Sequence, residues 1–334
     1  MVLGGGSFII ASFVLLAAAK RQEHQVELIR GLHNLREQHR GCVLTIGKFD
    51  GVHLGHQAVL ANVIRQARAL GLPATVMVFE PQPEEVFTPE QAPARISTLR
   101  DKYTLLKAQG VDRLLCVQFN RAFAAQSASR FIEDLLVARL GVKFLVVGDD
   151  FHFGRGRQGN FDMLEQAGAK YGFDVVSTQS FRMQDCRISS TEIRQALALG
   201  DFSKAQGMLG RPFSICGRVI HGDKKGRTIG FPTANVLLKR CQAPIKGVFA
   251  VRAEVQGQCF DGVANVGARP TVDGVRTQLE VHLFDYAGSL YSQLIDVRPV
   301  KKLREEQKFA SFEELKHQIE LDAHQARQVF EIVK

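Results

Sequence analysis

Residues 43–56 read Val-Leu-Thr-Ile-Gly-Lys-Phe-Asp-Gly-Val-His-Leu-Gly-His, an apolar run followed by a glycine-rich turn and the start of a helical pattern. Similar apolar runs return at residues 74–79, 114–117, 144–147 and 175–178. Helical patterns separate them at about residues 56–70, 97–109, 126–140 and 160–171. Buried runs that alternate with helices predict an α/β fold with a doubly wound parallel sheet. Such sheets bind ligands at the carboxyl ends of their strands, which is where residues 47–56 lie.

The sequence changes character after Gly200, where the helical period gives way to short β-rich segments. They lie at residues 213–220, 248–255, 260–266, 278–284 and 294–299. Segments of this length, with no long helix between them, predict an antiparallel barrel or sandwich. A final helix at about residues 311–332 is expected to pack on it through Phe312, Leu315, Ile319 and Ala323. We therefore predict two domains, residues 27–205 and 206–334, joined near residues 200–212.

The composition is that of a globular protein with small, charged ligands. At 334 residues the chain can form two cores, and its apolar fraction is 45%. Lysine and arginine number 43 against 34 acidic residues, a formal net charge of +9. These basic residues are scattered rather than gathered into a stripe, which favours small phosphates over nucleic acid. The six cysteines lack CxxC spacing and indicate reduced thiols in a cytoplasmic protein rather than zinc ligands.

The first 26 residues stand apart from this organisation. Residues 7–19 are almost wholly apolar and are followed by Lys20 and Arg21. The run is shorter than the roughly 20 residues that cross a bilayer, and a secretory signal carries its positive charge before the apolar stretch. A disordered extension, a weak membrane anchor or a wrongly chosen translation start would each explain the segment. We favour the last and expect no stable membrane association.

The turn at residues 47–56 has the composition of a nucleotide site. It follows a predicted strand and opens a predicted helix, whose free N–H groups attract phosphate. Glycines in the turn let the backbone approach a nucleotide closely. His53 and His56 share one face of the first helical turn, and we expect them to bind a triphosphate and stabilise charge that grows on its α-phosphorus. The other predicted ATP contacts in this turn are Gly47, Phe49, Asp50 and Gly55.

A second candidate phosphate site lies at residues 187–194, which read Arg-Ile-Ser-Ser-Thr-Glu-Ile-Arg. The hydroxyl groups could simply cap a helix. Alternatively, Ser190, Thr191 and Arg194 could bind the β- and γ-phosphates of the nucleotide. Taken alone the segment favours the cap, whereas its combination with the two histidines favours the phosphate.

Residues 217–236 combine a glycine-rich loop with a polar strand. Gly222, Gly226 and Gly230 recur every four residues in a basic stretch that could fold over phosphates, although such loops are also typical of ordinary hairpins. The stretch contains no GxxxxGK[ST] sequence. Thr233 and Asn235 alternate along a strand and so point to one face. Their oxygens could complete a Mg²⁺ shell together with phosphate oxygens and water.

Longer motifs in the first half resemble a known family. They are Phe-Glu-Pro-Gln-Pro at residues 79–83, Val-Gly-Asp-Asp-Phe-His-Phe-Gly at 147–154, and the segment at 187–194. Together they resemble the FMN adenylyltransferase module of bacterial FAD synthetases, a nucleotidyltransferase with a Rossmann-like sheet. The resemblance implies that Asp150, Phe151 and Arg157 lie near the flavin. Lys48 stands where this family often has Asn.

Residues 217–236 closely resemble riboflavin kinase, whose signature is a glycine-rich flap followed by Pro-Thr-Ala-Asn. Residues 262–267, 269–271, 279–285 and 303–309 extend the resemblance. It implies an antiparallel β-barrel with a terminal helix, in which Glu280 takes the proton from the riboflavin 5′-hydroxyl and Arg304 contacts the flavin. The predicted ATP contacts of this second site are Gly222, Gly226, Arg227, Gly230, Thr233 and Asn235, the last two also binding Mg²⁺.

The resemblance covers about residues 27–332 and implies a bifunctional, cytoplasmic enzyme of FAD biosynthesis. Riboflavin would be phosphorylated in the C-terminal domain and FMN adenylylated in the N-terminal one, with ATP as co-substrate and Mg²⁺ as cofactor. Riboflavin, FMN, FAD and ATP are the expected partners, nucleic acid is not expected, and the oligomeric state is left open. One alternative is a flavin-binding regulator without turnover, which the presence of every expected reactive residue disfavours. The other is a nucleic-acid-binding protein, disfavoured by the absence of Trp and by only four Tyr.

Overall fold

The computed structural model describes residues 25–181, 188–221, 231–238, 242–271 and 274–332. The first half of the chain contains a six-stranded sheet with the strand order β1-β4-β3-β2-β5-β6. The second half contains a closed six-stranded barrel. Both halves confirm the predicted fold class.

The sheet of the first half is parallel throughout. Its strands are β1 (Glu27–Arg30), β2 (Cys42–Ile46), β3 (Ala74–Glu80), β4 (Arg113–Gln118), β5 (Val142–Val147) and β6 (Asp174–Ser177). The central strands are continuous apolar runs because helices cover both faces of the sheet. The sequence pattern does not predict β1, because this edge strand pairs with β4 alone and carries a charged residue at each end.

Helices connect these strands, and the five longest α-helices of the first half end at a glycine in the left-handed region, the usual residue at this position. They are α1 (Leu54–Leu70), α2 (Pro83–Phe87), α3 (Leu99–Gln109), α4 (Arg121–Ala124), α5 (Ala128–Arg130), α6 (Phe161–Tyr171), α7 (Ser190–Leu199) and α8 (Phe202–Leu209). Where one helix was predicted at residues 126–140, α5 continues as a π-helix over Phe131–Arg139. None of the helices in the described residues combines the length and hydropathy needed to cross a membrane.

The order of the strands creates a natural ligand site beside β2. The chain passes from β2 to β3 and β4 on one side and then crosses to β5 on the other side. The carboxyl ends of β2 and β5 therefore form a topological switch point, where open α/β sheets bind ligands. The loops that leave these two ends contain the histidine turn and the predicted flavin segment.

The barrel of the second half is antiparallel and closes in the order β10-β11-β8-β7-β12-β9. Its strands are β7 (Ile215–Ile220), β8 (Ala234–Leu237), β9 (Gly247–Val255), β10 (Gln258–Thr271), β11 (Gly274–Leu283) and β12 (Leu294–Arg304). The terminal helix α9 (Phe312–Ile332) packs on the outside of the barrel through Ala323, Ala326 and Phe330. Closure leaves the barrel without a free sheet edge.

One apolar core runs through the junction between the two halves. Ile96, Ile193 and Leu209 of the first half share a buried cluster with barrel residues that include Ile215 and Phe249. The predicted boundary between residues 205 and 206 lies inside α8, and the division into domains stays a prediction.

The predicted extension, residues 1–26, lies outside the described residues except for Gln25 and Val26. The Val26 side chain is buried, and its carbonyl accepts a hydrogen bond of 3.0 Å from the Tyr103 hydroxyl. Val26 therefore belongs to the folded part of the chain.

Candidate active sites

The turn between β2 and α1 has an unusual backbone. Phe49, Gly51 and Val52 all have positive φ angles, of 44°, 79° and 40°. A positive φ is ordinary for glycine but strained for a β-branched residue such as Val52. The surrounding structure must therefore hold the turn in place. The turn places His53 at the position immediately before α1, where its side chain caps the helix.

His53 and His56 form a stacked pair at the start of α1. Their ring centroids lie 3.6 Å apart with an interplanar angle of 18°. The His53 Nδ1 accepts a hydrogen bond of 3.3 Å from the His56 backbone N–H. Gly55 leaves room for the His53 ring, because a Cβ there would lie 3.2 Å from two of its atoms, closer than most such contacts. The predicted pairing of the two imidazoles on one helical face is thus present in the structure.

Both histidines are held neutral by their surroundings. Burial lowers the pKa of His53 to about 4, with Arg211 and Arg194 acting in the same direction and Asp50 opposing them. Burial also holds the pKa of His56 well below 6.5, and His53 and Lys102 add to this effect. The site therefore presents two uncharged rings at neutral pH, and a bound polyanion would favour their protonation.

Asp50 lies beneath the turn rather than in the cleft. Its buried carboxylate accepts hydrogen bonds from the Ile96 and Ser97 backbone N–H groups at 3.1 and 2.9 Å. Arg194 donates to the same carboxylate from Nη2 at 2.7 Å, and from Nε to the Ala94 carbonyl at 2.6 Å. Although burial acts to raise it, these partners and Lys102 leave the pKa of Asp50 below its usual value.

The serine-rich helix meets the turn from the same side. Ser189 caps α7 by accepting from the Glu192 N–H at 3.3 Å, as the capping interpretation predicts. Ser190 Oγ donates to the Asp50 carbonyl at 3.3 Å, while Thr191 is exposed. The structure thus brings Asp50, Ser190 and Arg194 together as a support for the turn, and their predicted contact with phosphate stays a prediction.

A cleft of about 1190 Å³ opens between the ends of β2 and β5. Gly47, Phe49, Gly55 and both histidines line it. Asp150, Phe151 and Arg157, the predicted flavin residues, line the same cleft, so the structure brings the two predicted groups to one cavity. The volume exceeds the range typical of a single small-ligand pocket, which runs to about 1,000 Å³.

A wall of phenylalanines forms the apolar part of this cleft. Neighbouring rings lie 5.0 to 6.4 Å apart, mostly edge to face or tilted. The members of this phenylalanine wall are Phe79, Phe87, Phe119, Phe123, Phe131, Phe151 and Phe153. Phe87 is 54% exposed and lines the cleft, so its ring is accessible to a flat aromatic ligand.

Lys48 forms an ion pair with Glu84 inside the same cleft. Both side chains are partly exposed, and the contact, opposing the effect of burial, leaves the pKa of Glu84 below its usual value. The amine therefore lies where a triphosphate would be attracted, although the family resemblance places Asn at this position.

The second site is a row of polar side chains across three barrel strands. Asn235 of β8 lies opposite Glu280 of β11, and Glu280 lies opposite Asn265 of β10. Residues directly opposite in antiparallel strands share a face. Their neighbours Val236, Leu279 and Val281 belong to the barrel core, so the row points to the outer face.

The row has unused hydrogen-bonding capacity. The Asn265 Oδ1 is buried and has no hydrogen-bond partner among the described residues. The Asn235 Oδ1 accepts a hydrogen bond from Gln278 Nε2, and Asn235 is 7% exposed. Thr233 precedes this strand and is half-buried. Oxygen atoms in such a row fit a hard cation such as Mg²⁺ that takes its other ligands from phosphate and water.

The structure says less about the other residues predicted for the kinase site. Gly222, Gly226, Arg227 and Gly230 lie outside the described residues. Arg304 forms a two-point ion pair with the buried Asp322 of α9, at 2.8 and 2.7 Å. The guanidinium group thus joins β12 to the terminal helix, and its predicted contact with flavin stays a prediction. No cluster of three or more His, Cys, Asp or Glu residues suited to a metal occurs among the residues that the structure describes.

Comparison with known proteins matches both halves of the chain. A family model for FAD synthetase matches residues 35–192, and one for riboflavin kinase matches residues 209–330. The bifunctional riboflavin kinase/FMN adenylyltransferase of Escherichia coli (strain K12) is 55% identical over 92% of this chain and 99% of its own. The proteins of the same name from Pseudomonas fluorescens and Haemophilus influenzae are 53% and 52% identical, over 90% and 91% of this chain and 97% and 99% of their own.

The chain belongs to the bifunctional riboflavin kinase/FMN adenylyltransferase family. The fold is shared by a crystal structure described as a macrolide-efflux protein from Streptococcus pneumoniae. That structure has a TM-score of 0.69 and 30% sequence identity, and the match covers 89% of this chain and 97% of that chain. The efflux function in that description belongs to that protein, and we carry only the fold to this chain.

Several residues that line the cleft or belong to the polar row are not predicted from the sequence. The phenylalanine wall could have been suspected from 23 Phe in a chain without Trp, but their positions do not show which rings meet. Glu84 carried no signal of its own, and Asn265 stood in the resembling segment 262–267 without a predicted role. They become visible only when the fold places them beside Lys48 and Glu280.

Proposed function

We propose that this chain makes FAD in two steps at two separate sites. The barrel would transfer the γ-phosphoryl group of ATP to riboflavin, giving FMN and ADP. The cleft of the first half would then join FMN to the adenylyl group of a second ATP, giving FAD and pyrophosphate. The observation that carries the proposal is that one chain matches both family models, with His53 and His56 inside the FAD synthetase match and Asn235 and Glu280 inside the riboflavin kinase match.

At the adenylyl-transfer site, an oxygen of the FMN phosphate would attack the α-phosphorus of ATP. A new bond to this phosphorus would form while its bond to the bridging β-phosphate oxygen breaks, so that pyrophosphate leaves. His53 and His56 stand at the start of α1, where backbone N–H groups also point outward. Positioning and electrostatic stabilisation are the main requirements of such a transfer. The phenylalanine wall offers a surface on which the flavin ring can stack.

At the kinase site, we assign Glu280 as the base that accepts the proton of the riboflavin 5′-hydroxyl. That oxygen would attack the γ-phosphorus of ATP, and ADP would leave. Thr233, Asn235 and Asn265 supply oxygens beside Glu280 that could hold Mg²⁺ with the ATP phosphates. The ion would neutralise charge on the transferred group. Because both reactions consume ATP, we propose that the protein acts in the cytoplasm.

The two-site proposal predicts that the activities can be separated by single substitutions. His56→Ala should abolish FAD formation from FMN and leave riboflavin phosphorylation intact. Glu280→Gln should stop FMN formation, because an amide cannot accept the proton, and leave adenylylation of supplied FMN intact. Chromatography of the flavins formed from riboflavin or from FMN, with ATP and Mg²⁺, measures both activities.

Glu280→Gln keeps the size of the side chain and so serves as its own control for packing. For His56, the matched control is His33→Ala, since His33 is an exposed histidine of the first half that does not line the cleft. Loss of both activities in a folded His56→Ala or Glu280→Gln protein would contradict the assignment of two independent sites.

A further inference from the structure

Arg211 reaches from the start of the riboflavin-kinase half into the histidine turn of the other half. Its Nη2 donates to the Gly51 carbonyl at 2.6 Å, and its Nη1 donates to the Val52 and Leu209 carbonyls at 3.4 and 3.2 Å. Gln57 bridges two of the same acceptors, since its Nε2 lies 3.0 Å from the Val52 oxygen and 3.1 Å from the Leu209 oxygen. We call Arg211 and Gln57 together the carbonyl clamp.

The carbonyl clamp holds the part of the turn that is strained. Val52, with a φ angle of 40° immediately before His53, is the strained residue, and Gly51 before it has a φ angle of 79°. Backbone conformations of this kind persist only where surrounding contacts fix them. On the other side of the turn, the Gly51 N–H donates to Ser97 Oγ at 2.8 Å. The N–H of Gly51 is thus fixed within the first half, and its carbonyl is fixed by Arg211.

The clamp also ties the turn to the junction between the halves. Leu209 is the last residue of α8, so its carbonyl has no partner within the helix. Arg211 and Gln57 supply the missing hydrogen bonds. A guanidinium group suits this position because its planar fork can reach several carbonyl oxygens at once, which a lysine amine cannot match in geometry.

From this geometry we infer that Arg211 is a positioning residue for adenylyl transfer, contributed by the polypeptide on the kinase side of the junction. It fixes the carbonyls of Gly51 and Val52 and thereby the direction in which His53 and His56 point. The inference rests on the proposed function of the cleft. It adds that the adenylyl-transfer site depends on residues beyond α8, outside the FAD synthetase match at 35–192.

The test uses the full-length chain with Arg211→Met, which keeps the aliphatic stem and removes the fork. We expect kcat for FAD formation to fall by about 10- to 100-fold, the scale on which small misplacements of reacting groups act. KM for ATP and FMN should change little, because the substrate-contacting side chains remain. Riboflavin phosphorylation should be unchanged. Arg211→Lys should recover only part of the lost rate, and added guanidinium should raise the rate of Arg211→Met.

Arg218→Met is the matched control, since Arg218 also donates to a backbone carbonyl, that of Ser292, within the barrel. It should leave FAD formation as in the unsubstituted protein. Hydrogen exchange of residues 49–57 provides a readout that does not depend on activity, and we expect faster exchange in Arg211→Met.

The outcomes separate this inference from the proposed function. If the unsubstituted protein forms FAD and Arg211→Met does so at the same rate, the positioning role is wrong while the function stands. Unchanged hydrogen exchange at residues 49–57 in Arg211→Met would overturn the inference that the carbonyl clamp fixes the turn, even if the unsubstituted protein forms no FAD. An equal loss of both activities would assign Arg211 to general stability and would also overturn the inference.

Discussion

Among single residues, His53 couples the stability of the site to pH. A histidine in the unfolded chain takes up a proton near its ordinary pKa of 6.5, whereas burial delays protonation of His53 in the folded chain until about pH 4. Between these values the unfolded state binds more protons, so acidification favours unfolding. Above pH 6.5 the two buried rings therefore do not lower the free energy of unfolding. Below this pH they lower it increasingly as the pH falls.

We predict that the free energy of unfolding of the protein falls between pH 6.5 and pH 4, with His53 contributing on the order of 3 kcal/mol in total. His53→Asn removes the titrating ring and keeps a side-chain oxygen that can cap α1. Urea unfolding at several pH values, followed by a signal from the first half, measures the effect. Subtracting the pH dependence of one protein from that of the other removes the contribution of nearby carboxylates that also titrate, among them Asp50 and Glu84. If the free energy of unfolding depends on pH in the same way in both proteins, the conclusion that His53 is neutral in the folded chain is contradicted.

Among secondary-structure elements, α9 is held to the barrel by a buried ion pair and a small apolar face. Asp322 is 3% exposed and accepts from both Nε and Nη2 of Arg304, and it also accepts from Gln318 at 3.0 Å. Ala326 and Phe330 complete the contact with the barrel. Such a helix owes its position to tertiary contacts more than to its own propensity.

We predict that Asp322→Ala destabilises the barrel by about 3 kcal/mol, because it leaves the Arg304 guanidinium without its buried partner. Thermal unfolding of the full chain measures the loss. Arg304→Met and the double variant complete a cycle that isolates the pair.

The same variants test the predicted contact between Arg304 and flavin. If Arg304 leaves Asp322 to reach the substrate, Arg304→Met should raise KM for riboflavin more than Asp322→Ala does. Equal values would assign Arg304 to the attachment of α9 alone.

The local sequence predicts most helices and strands, but it does not predict how segments far apart in the chain pair. The apolar runs and helical periods give β2 to β6 and most helices, because burial and periodicity are local properties. Edge strand β1 is missed, since only its pairing with β4 marks it as a strand. The histidine pair is predicted from its spacing. The support by Asp50 and Arg194, and the row through Asn265, depend on contacts between segments far apart in the chain.

At the scale of the molecule, the shared core argues against independent halves. The cluster that contains Ile193 and Leu209 continues into the barrel through Ile215 and Ile295 without a polar break in its membership. Inter-domain contacts of this apolar kind couple the stabilities of the parts they join.

We predict that the two halves unfold together. Ile295→Ala, deep in the barrel, should cost about 2–5 kcal/mol, and it should also speed hydrogen exchange in α1 of the other half. Leu164→Ala, in a cluster confined to the first half, is the matched substitution that tests the effect of the first half on the barrel. Calorimetry should give one transition for each protein. Two transitions, or exchange that accelerates only in the substituted half, would show that the halves are independent.

The phenylalanine wall has an optical consequence. Excited flavins lose their fluorescence to electron-rich rings such as tyrosine and tryptophan, whereas phenylalanine is a poor electron donor. The chain contains no Trp, and none of the described residues that line the cleft is Tyr. FMN held against this wall is therefore expected to stay bright, while FAD in solution is dimmed by its own adenine. The phenylalanine wall would therefore let the emission of the flavin itself distinguish flavin held in the cleft from FAD released into solution, without any added label.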